Sequence, residues 1–338
     1  MSEPPALSAA VVADEPATIA PLVRALAAQT GSDRVELVVG LPPGHAGERI
    51  PDTGKLHSVI VVPVPSIADL GAARVVCFKR ATAPIVLLAE THAFPEPGWL
   101  EAVLSAHGDG VALAGPRFEN ANPGSAVSWA NLIDHYGPSL PGPEFGVRPL
   151  AGHNSTMDLG ALRDLGPDLE PLLRDFPELH RRLGEWGRSA FVAEARVSHL
   201  NISSLRWWLL EAWAGGRVYA TARRRRWGWP RRLGYGLAWP LLAAVEIARR
   251  LRLLGPIRRA GLRIPRRTVP LLALGIVVRC LGEGVGYFAG RDSSGRELLS
   301  LTEIRRTDYL RSAERQRFDP RPSDSSDPQT AAAGSRHE

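Results

Sequence analysis

The sequence predicts an α/β fold, a largely parallel sheet with helices on both faces, and three observations carry that expectation. Short runs rich in Val, Leu, Ala and Ile alternate with stretches of helical periodicity over residues 7–89. The runs end on polar or glycine-containing turns, which puts the strand ends on one edge, where ligands bind in sheets of this kind. A length of 338 residues, 44% apolar and 22% charged, suffices for one large core with a helical appendage.

Residues 7–13 (LSAAVVA) form the first strand, broken at Asp14-Glu15-Pro16. A helix over Ile19–Gln29 follows, with Leu22, Val23 and Leu26 on one face. Val35–Val39 is the second strand, ended by Gly40 and Pro42-Pro43, and residues 58–64 (SVIVVPV) are the third. A helix over Asp69–Arg80 leads into a buried strand at Ile85–Ala89, whose end is Glu90-Thr91-His92. The Gly-, Pro- and Asn-rich stretch from Gly115 to Gly152 reads as loop with short strands. Helices are expected over Leu159–Leu165 and Pro177–Trp186, and a strand over Phe191–His199.

After His199 the character changes. Six of the nine tryptophans fall between Trp207 and Trp239, interleaved with arginine, a combination enriched at membrane–water interfaces. From Leu205 to Arg267 sixteen arginines face only Glu211 and Glu246, a local balance of +14; the whole chain is +6, so the rest carries −8. Such a segment suits an anionic partner: a lipid headgroup, a lipid-linked phosphate or nucleic acid. The tryptophans beside apolar runs favour lipid over nucleic acid. Leu233–Val245 is uncharged but too short to span a bilayer. Thr268–Gly290 is long enough yet holds Arg279 and Glu283, four apart and able to pair on one helical face. Three readings stand for it: a spanning helix, an interfacial or re-entrant hairpin, or a soluble subdomain packed on the body. The expected division is 1–204, an α/β domain; 205–290, a membrane-associated helical region; and 291–338, a polar, largely disordered tail. Cys77 and Cys280 imply no disulfide framework, and the N-terminus, with no Lys or Arg before Arg24, does not read as a secretory signal. The expected location is the cytoplasmic side of the membrane.

Several segments together resemble family 2 glycosyltransferases. Ala73–Glu90 (ARVVCFKRATAPIVLLAE) is similar to the stretch where a helix opening on Ala-Arg passes through a strand into an acidic motif. Phe94–Leu100 (FPEPGWL) looks like the turn and Trp-Leu that follow it, and the first strand with its Gln29 and the ELVV strand match in order. Gly152-His153-Asn154-Ser155 looks like the Gly-centred acceptor loop, and ELHRRLGEWG (178–187) with the strand ending in His199 resembles the late helix and strand. The resemblance covers roughly residues 7–232. It implies a GT-A fold, a nucleotide-diphosphate sugar as donor, a divalent metal (Mn²⁺ or Mg²⁺), and inversion at the anomeric carbon.

The departures define the candidate residues. Where the family carries Asp-x-Asp, this chain has Glu90, Thr91 and His92. With His199 they imply a Glu-His-His metal set, which favours a borderline cation such as Mn²⁺ over Mg²⁺. The family's base position falls on Phe176, so Asp175 or Glu178 is left to accept the acceptor proton. Gly40 and Leu41 stand where an Asp contacts the nucleoside, leaving Asp14 and Glu15 for that role and Arg74 for the diphosphate side. Gly152, His153 and Asn154 are expected to line the acceptor pocket. The leading reading is transfer to a lipid-linked or cell-envelope glycan acceptor; the alternative is a catalytically inactive GT-A scaffold in a glycan-assembly complex.

Overall fold

The computed structural model describes residues 3–144, 150–173, 175–224, 227–290 and 292–319. In chain order the first half comprises β1 (Leu7–Val12), α1 (Ala20–Ala27), β2 (Val35–Leu41), β3 (Ser58–Pro63), α2 (Leu70–Arg80), β4 (Ile85–Leu88), β5 (Ala93–Pro95), α3 (Trp99–Gly108), β6 (Val111–Asn120) and α4 (Ala126–Tyr136). Next come β7 (Thr156–Asp158), α5 (Leu159–Asp164), α6 (Leu169–Leu172), α7 (Phe176–Leu183), β8 (Arg188–His199) and α8 (Leu205–Arg224). The chain continues with α9 (Trp229–Leu237), α10 (Trp239–Arg259), α11 (Thr268–Ala289), α12 (Ser293–Ile304) and α13 (Ser312–Phe318).

One eight-stranded sheet, ordered β3-β2-β1-β4-β7-β6-β8-β5, organises the body. β1, β2, β3 and β4 are parallel, while β7 and β5 run against their neighbours. The alternation of β1 shows why both faces carry helices. Leu7, Ala9 and Val11 enter one apolar cluster with residues of α1, α3 and α4, whereas Ala10 and Val12 enter a second with residues of α2, α5 and α7. Caps fix where helices begin: Asp69 accepts from Ala72 N at α2, and Asp158 from Ala161 N at α5. Gln29, past the end of α1, ties that helix to the turn after β5 by donating to the carbonyls of Pro95 and Glu96.

Three segments differ from expectation. The stretch from Gly115, read as loop with short strands, contains most of the ten-residue β6 and the eleven-residue α4. Pro116 is tolerated because the β6–β8 register shifts between it and Arg117. Polar residues of α4 find partners outside the helix: Ser128 donates to Asn122 just ahead of it, and Asn131 to Glu211 of α8. Second, Arg279 does not turn to Glu283; its Nε lies 3.5 Å from Asp134 of α4, and Glu283 accepts from Tyr287. Third, residues expected in a polar tail form α12, the 3₁₀ turn Arg306–Tyr309 and α13, which return to the body. Ser300 and Ile304 of α12 are buried, and residues 291 and 320–338 of that tail lie outside the described residues.

α11 is, among the described residues, the one helix long and apolar enough to cross a membrane, with 22 residues and a mean hydropathy of 1.6. It packs along α8 through glycines. A Cβ on Gly216 would fall 2.0 Å from the Arg279 carbonyl oxygen, and one on Gly282 2.5 Å from that of Trp213. Trp208, Leu272 and Ile276 belong to the same apolar cluster as β1 and α1, so these helices share the core of the α/β body.

Candidate functional site

Glu90, just past β4, gathers side chains from four directions because two ladders converge on it. Asn154 N donates to Leu88 O (2.8 Å) and Leu88 N to Ser155 O (3.1 Å), which extends the β4–β7 pairing and sets His153 and Asn154 beside Glu90. On the other side β5 and β8 pair Ala93 with His199, and Leu200 N donates to His92 O, so His92 and His199 meet with ring centroids 4.8 Å apart. Asn154 holds φ at +57°, a left-handed conformation that Asn tolerates better than most residues, and so aims its amide at Glu90 Oε2 (2.5 Å). His153 Nδ1 bonds Oε1, and Tyr136 Oη donates to Oε1 at 3.3 Å.

The two buried histidines are oriented by their outer nitrogens. His92 Nδ1 lies 3.0 Å from the Glu303 carbonyl, and His199 Nδ1 2.8 Å from Asn201 Oδ1, so each Nδ1 carries the proton and each Nε2 presents its lone pair. Those two Nε2 atoms are buried without a hydrogen-bond partner, 3.8 and 3.3 Å from Glu90 Oε2. Two imidazole lone pairs facing a carboxylate oxygen, with Asn154 and Tyr136 donating only to the carboxylate, are a set that a cation satisfies, and the three ligand atoms lie within 4.8 Å of one another. Glu90, His92 and His199 therefore fit a divalent metal.

A second group adjoins it. His153 Nδ1 lies 3.4 Å from Glu303 Oε2 of α12, so one imidazole bridges two carboxylates. Burial alone would lower the His153 pKa, but Glu90 and Glu303 outweigh it and push it up to about 9. Burial alone would likewise raise Glu90; the His153 charge and hydrogen bond hold it well below the carboxylate range. His92 is pushed down by burial and by the nearby Arg306 cation, which keeps it neutral. Tyr136 is held protonated by burial and by the Glu90 charge, so it acts as a donor.

The remaining candidates fall around this centre. Asp14, past β1, is buried; Thr18 donates to its Oδ1 (2.7 Å) and Arg305 Nε to its Oδ2 (2.5 Å). Glu15 precedes the 3₁₀ turn Pro16–Ile19 and is half-buried. Arg74 of α2 is buried, and its charge acts on His153. Gly152 has to be glycine: a Cβ there would fall 2.1 Å from the ring of Phe176, which also lies edge-on to His153 at 4.9 Å. Asp175 is at the N-cap of α7, next to that ring, whereas Glu178 is engaged by two nitrogens of Arg181. Sequence reasoning missed Tyr136, Asn201 and the whole contribution of the C-terminal segment: Glu303, Arg305 and Arg306. Arg306 is buried against Glu211 at 3.3 Å and Glu303 at 3.7 Å. Its only sequence signal was an EIRR cluster within an otherwise polar stretch.

No protein-family model matches the chain, and no curated protein matches it in sequence. Solved structures similar to it include residues 1–349 of TarS from S. aureus, 12% identical with a TM-score of 0.42, over 83% of this chain and 90% of that one. Another is the mannosyltransferase PcManGT from Pyrobaculum calidifontis, in complex with GDP-Man and Mn²⁺, 13% identical with a TM-score of 0.40, over 85% of this chain and 75% of that one. A third is glucosyl-3-phosphoglycerate synthase from Mycobacterium tuberculosis, in complex with phosphoglyceric acid, 19% identical with a TM-score of 0.38, over 58% of this chain and 72% of that one. The eight-stranded sheet with its two helical layers is consistent with the GT-A arrangement expected from the sequence.

Proposed function

We propose that the chain is a metal-dependent glycosyltransferase that takes a sugar from a nucleotide-diphosphate donor and inverts its anomeric configuration. One observation carries this reading most: two buried, unpartnered imidazole Nε2 atoms converge on a buried carboxylate at the C-terminal strand edge. A divalent cation held by Glu90, His92 and His199 would neutralise the diphosphate of a departing nucleotide. Asn201 and the Glu303 carbonyl orient the two imidazoles for that task. Asp14 and Glu15 are assigned to the nucleoside and Arg74 to the diphosphate side. Gly152, His153 and Asn154 form the acceptor side. Asp175 is the preferred proton acceptor, because it adjoins the Phe176 ring that packs on Gly152, while Glu178 is paired with Arg181.

The acceptor is assigned to a membrane surface, as a lipid-linked or cell-envelope glycan on the cytoplasmic side. Trp229, Leu237 and Leu241 are 61%, 67% and 66% exposed, and Phe288 lies beside Trp229 and over Gly236. Arg231 stacks on Trp227 at 4.2 Å, and Arg249 and Arg252 are exposed along the same stretch of α10. Apolar and aromatic side chains rimmed by arginine fit an anionic lipid interface, with the helices lying on it. This arrangement favours an interfacial helical region over a spanning α11, whose Arg279 is tied to Asp134 in the body.

Incubation with UDP-, GDP- and dTDP-linked sugars, Mn²⁺ and vesicles containing polyprenyl phosphate tests the reading. Release of one nucleoside diphosphate, lost in Glu90→Gln, is the expected outcome. No release from any donor by folded protein contradicts it and favours the non-catalytic scaffold, which Phe176 at the base position already suits.

A further inference from the structure

Under the glycosyltransferase reading, the edge of the sheet where a donor nucleotide would sit is already covered by the chain's own C-terminal segment. α12 runs along α8, and Ser300 Oγ donates to the Ala68 carbonyl ahead of α2 (3.0 Å). The last carbonyls of α12 have no partner within the helix, and residues of the metal motif satisfy them. Thr91 Oγ1 lies 3.0 Å from Glu303 O and 2.8 Å from Ile304 O, and His92 Nδ1 3.0 Å from Glu303 O. Arg305 then reaches Asp14 at the end of β1, and Arg306 is buried against Glu211. Farther on, Arg311 N donates to Ser203 and Glu314 accepts from Asn122. The cavity left between the segment and the strand ends, lined among others by Thr18, His92, Arg305 and Arg306, measures about 20 Å³. Pockets for ligands of nucleotide size run to roughly 300 Å³ or more.

We propose that residues 292–319 form a latch that closes the donor cleft, with Arg305 occupying the Asp14 carboxylate until a nucleotide displaces it. The charges are suited to reversible closure. Arg305 is 44% exposed, so its guanidinium can pass to water when the pair opens although Asp14 is buried at 5%, whereas both partners of the Arg306–Glu211 pair, 4% and 7% exposed, are held inside. The segment can thus lift at Arg305 while Arg306 keeps it anchored on α8. Closure also shields the Glu90 cluster from water until a donor arrives. The apparent affinity for a nucleotide is then lowered by the fraction of molecules that are open.

The test is calorimetry and hydrogen exchange on the full chain, with UDP, GDP and dTDP in the presence of Mn²⁺. Wild type is compared with Arg305→Ala and, at a second point of the latch, Ser300→Ala. Arg305→Ala leaves Asp14 its Thr18 bond, so folding is expected to survive. The latch predicts that one nucleotide binds Arg305→Ala about fivefold or more tightly than wild type. It also predicts that the bound nucleotide speeds amide exchange over 305–310 in wild type, while the Glu303 carbonyl stays on His92. Equal affinities in all three proteins, with 305–310 still protected in the complex, overturn the latch and leave the donor site standing. No binding of any nucleotide to wild type or to either variant overturns the donor-site reading and the latch with it.

Discussion

His199 Nε2 lies 3.3 Å from Glu90 Oε2; both groups are buried, and this Nε2 has no hydrogen-bond partner. His199 is held in this pose by Asn201, two residues on, whose Oδ1 accepts a hydrogen bond from Nδ1. Replacing Asn201 by Ala removes the group that sets the tautomer while leaving every proposed ligand in place. Mn²⁺ affinity, followed by calorimetry, is expected to fall by about 10-fold or more. An unchanged affinity would mean that His199 does not bind metal through Nε2.

Asp134 joins the α/β body to the C-terminal helices, with Arg250 at 3.6 Å and Arg279 at 3.5 Å. Burial alone would raise its pKa, but Arg279, then His135 and Arg250, outweigh it and hold it below the usual value. Asp134→Ala leaves Arg250 and Arg279 sharing Glu246 alone, at 3.3 and 4.0 Å, and is expected to cost about 1–3 kcal/mol in chemical denaturation. The sign of the pH dependence follows from the depressed pKa. The stabilisation is present above the unfolded pKa and is lost as pH falls through the folded one. The gap between wild type and Asp134→Asn is therefore expected to narrow as pH drops below about 4. A constant gap would show that the carboxylate charge is not what matters.

Gly216 of α8 tests the close approach of α8 to α11. A methyl there meets the Arg279 carbonyl, a backbone atom that moves only if the helix moves. Gly216→Ala is expected to destabilise by about 1–3 kcal/mol despite the better helix propensity of Ala. A stabilised variant would mean that the two helices are farther apart than described.

The membrane reading rests on exposed side chains that touch no part of the site. Leu237→Glu with Leu241→Glu is expected to lower co-sedimentation with vesicles rich in anionic lipid by about 10-fold, with nucleotide binding unchanged. Binding should also weaken with added salt. Equal sedimentation of variant and wild type would remove α9 and α10 from the interface.

How much of this was legible in the sequence varies along the chain. β1 and β2 were readable because their apolar runs stand between turn-forming residues, and Asp69 and Arg80 bracket α2 as a cap and a basic last turn. Glu90, His92 and His199 could be singled out because Glu90 follows β4, His92 precedes β5 and His199 ends β8, at the strand edge where ligands bind in such sheets. β6 and α4 were not, since Gly115, Pro116 and Asn131 look like loop residues until a bulge and Glu211 supply their partners. Glu303, Arg305 and Arg306 were hidden for a similar reason. Their roles depend on contacts with Asp14, Thr91 and Glu211, about one to three hundred residues earlier, and polar composition alone looks like a tail.

The central claim is that Glu90, His92 and His199 hold a metal through which a nucleotide is bound. Calorimetric titration of the full chain with UDP, GDP and dTDP, each with Mn²⁺ and with EDTA, on wild type, Glu90→Gln and His199→Ala, tests it most directly. Binding of one nucleotide that requires Mn²⁺ and is lost in both variants is the predicted result. Nucleotide binding that persists in EDTA, or in both variants, would contradict it.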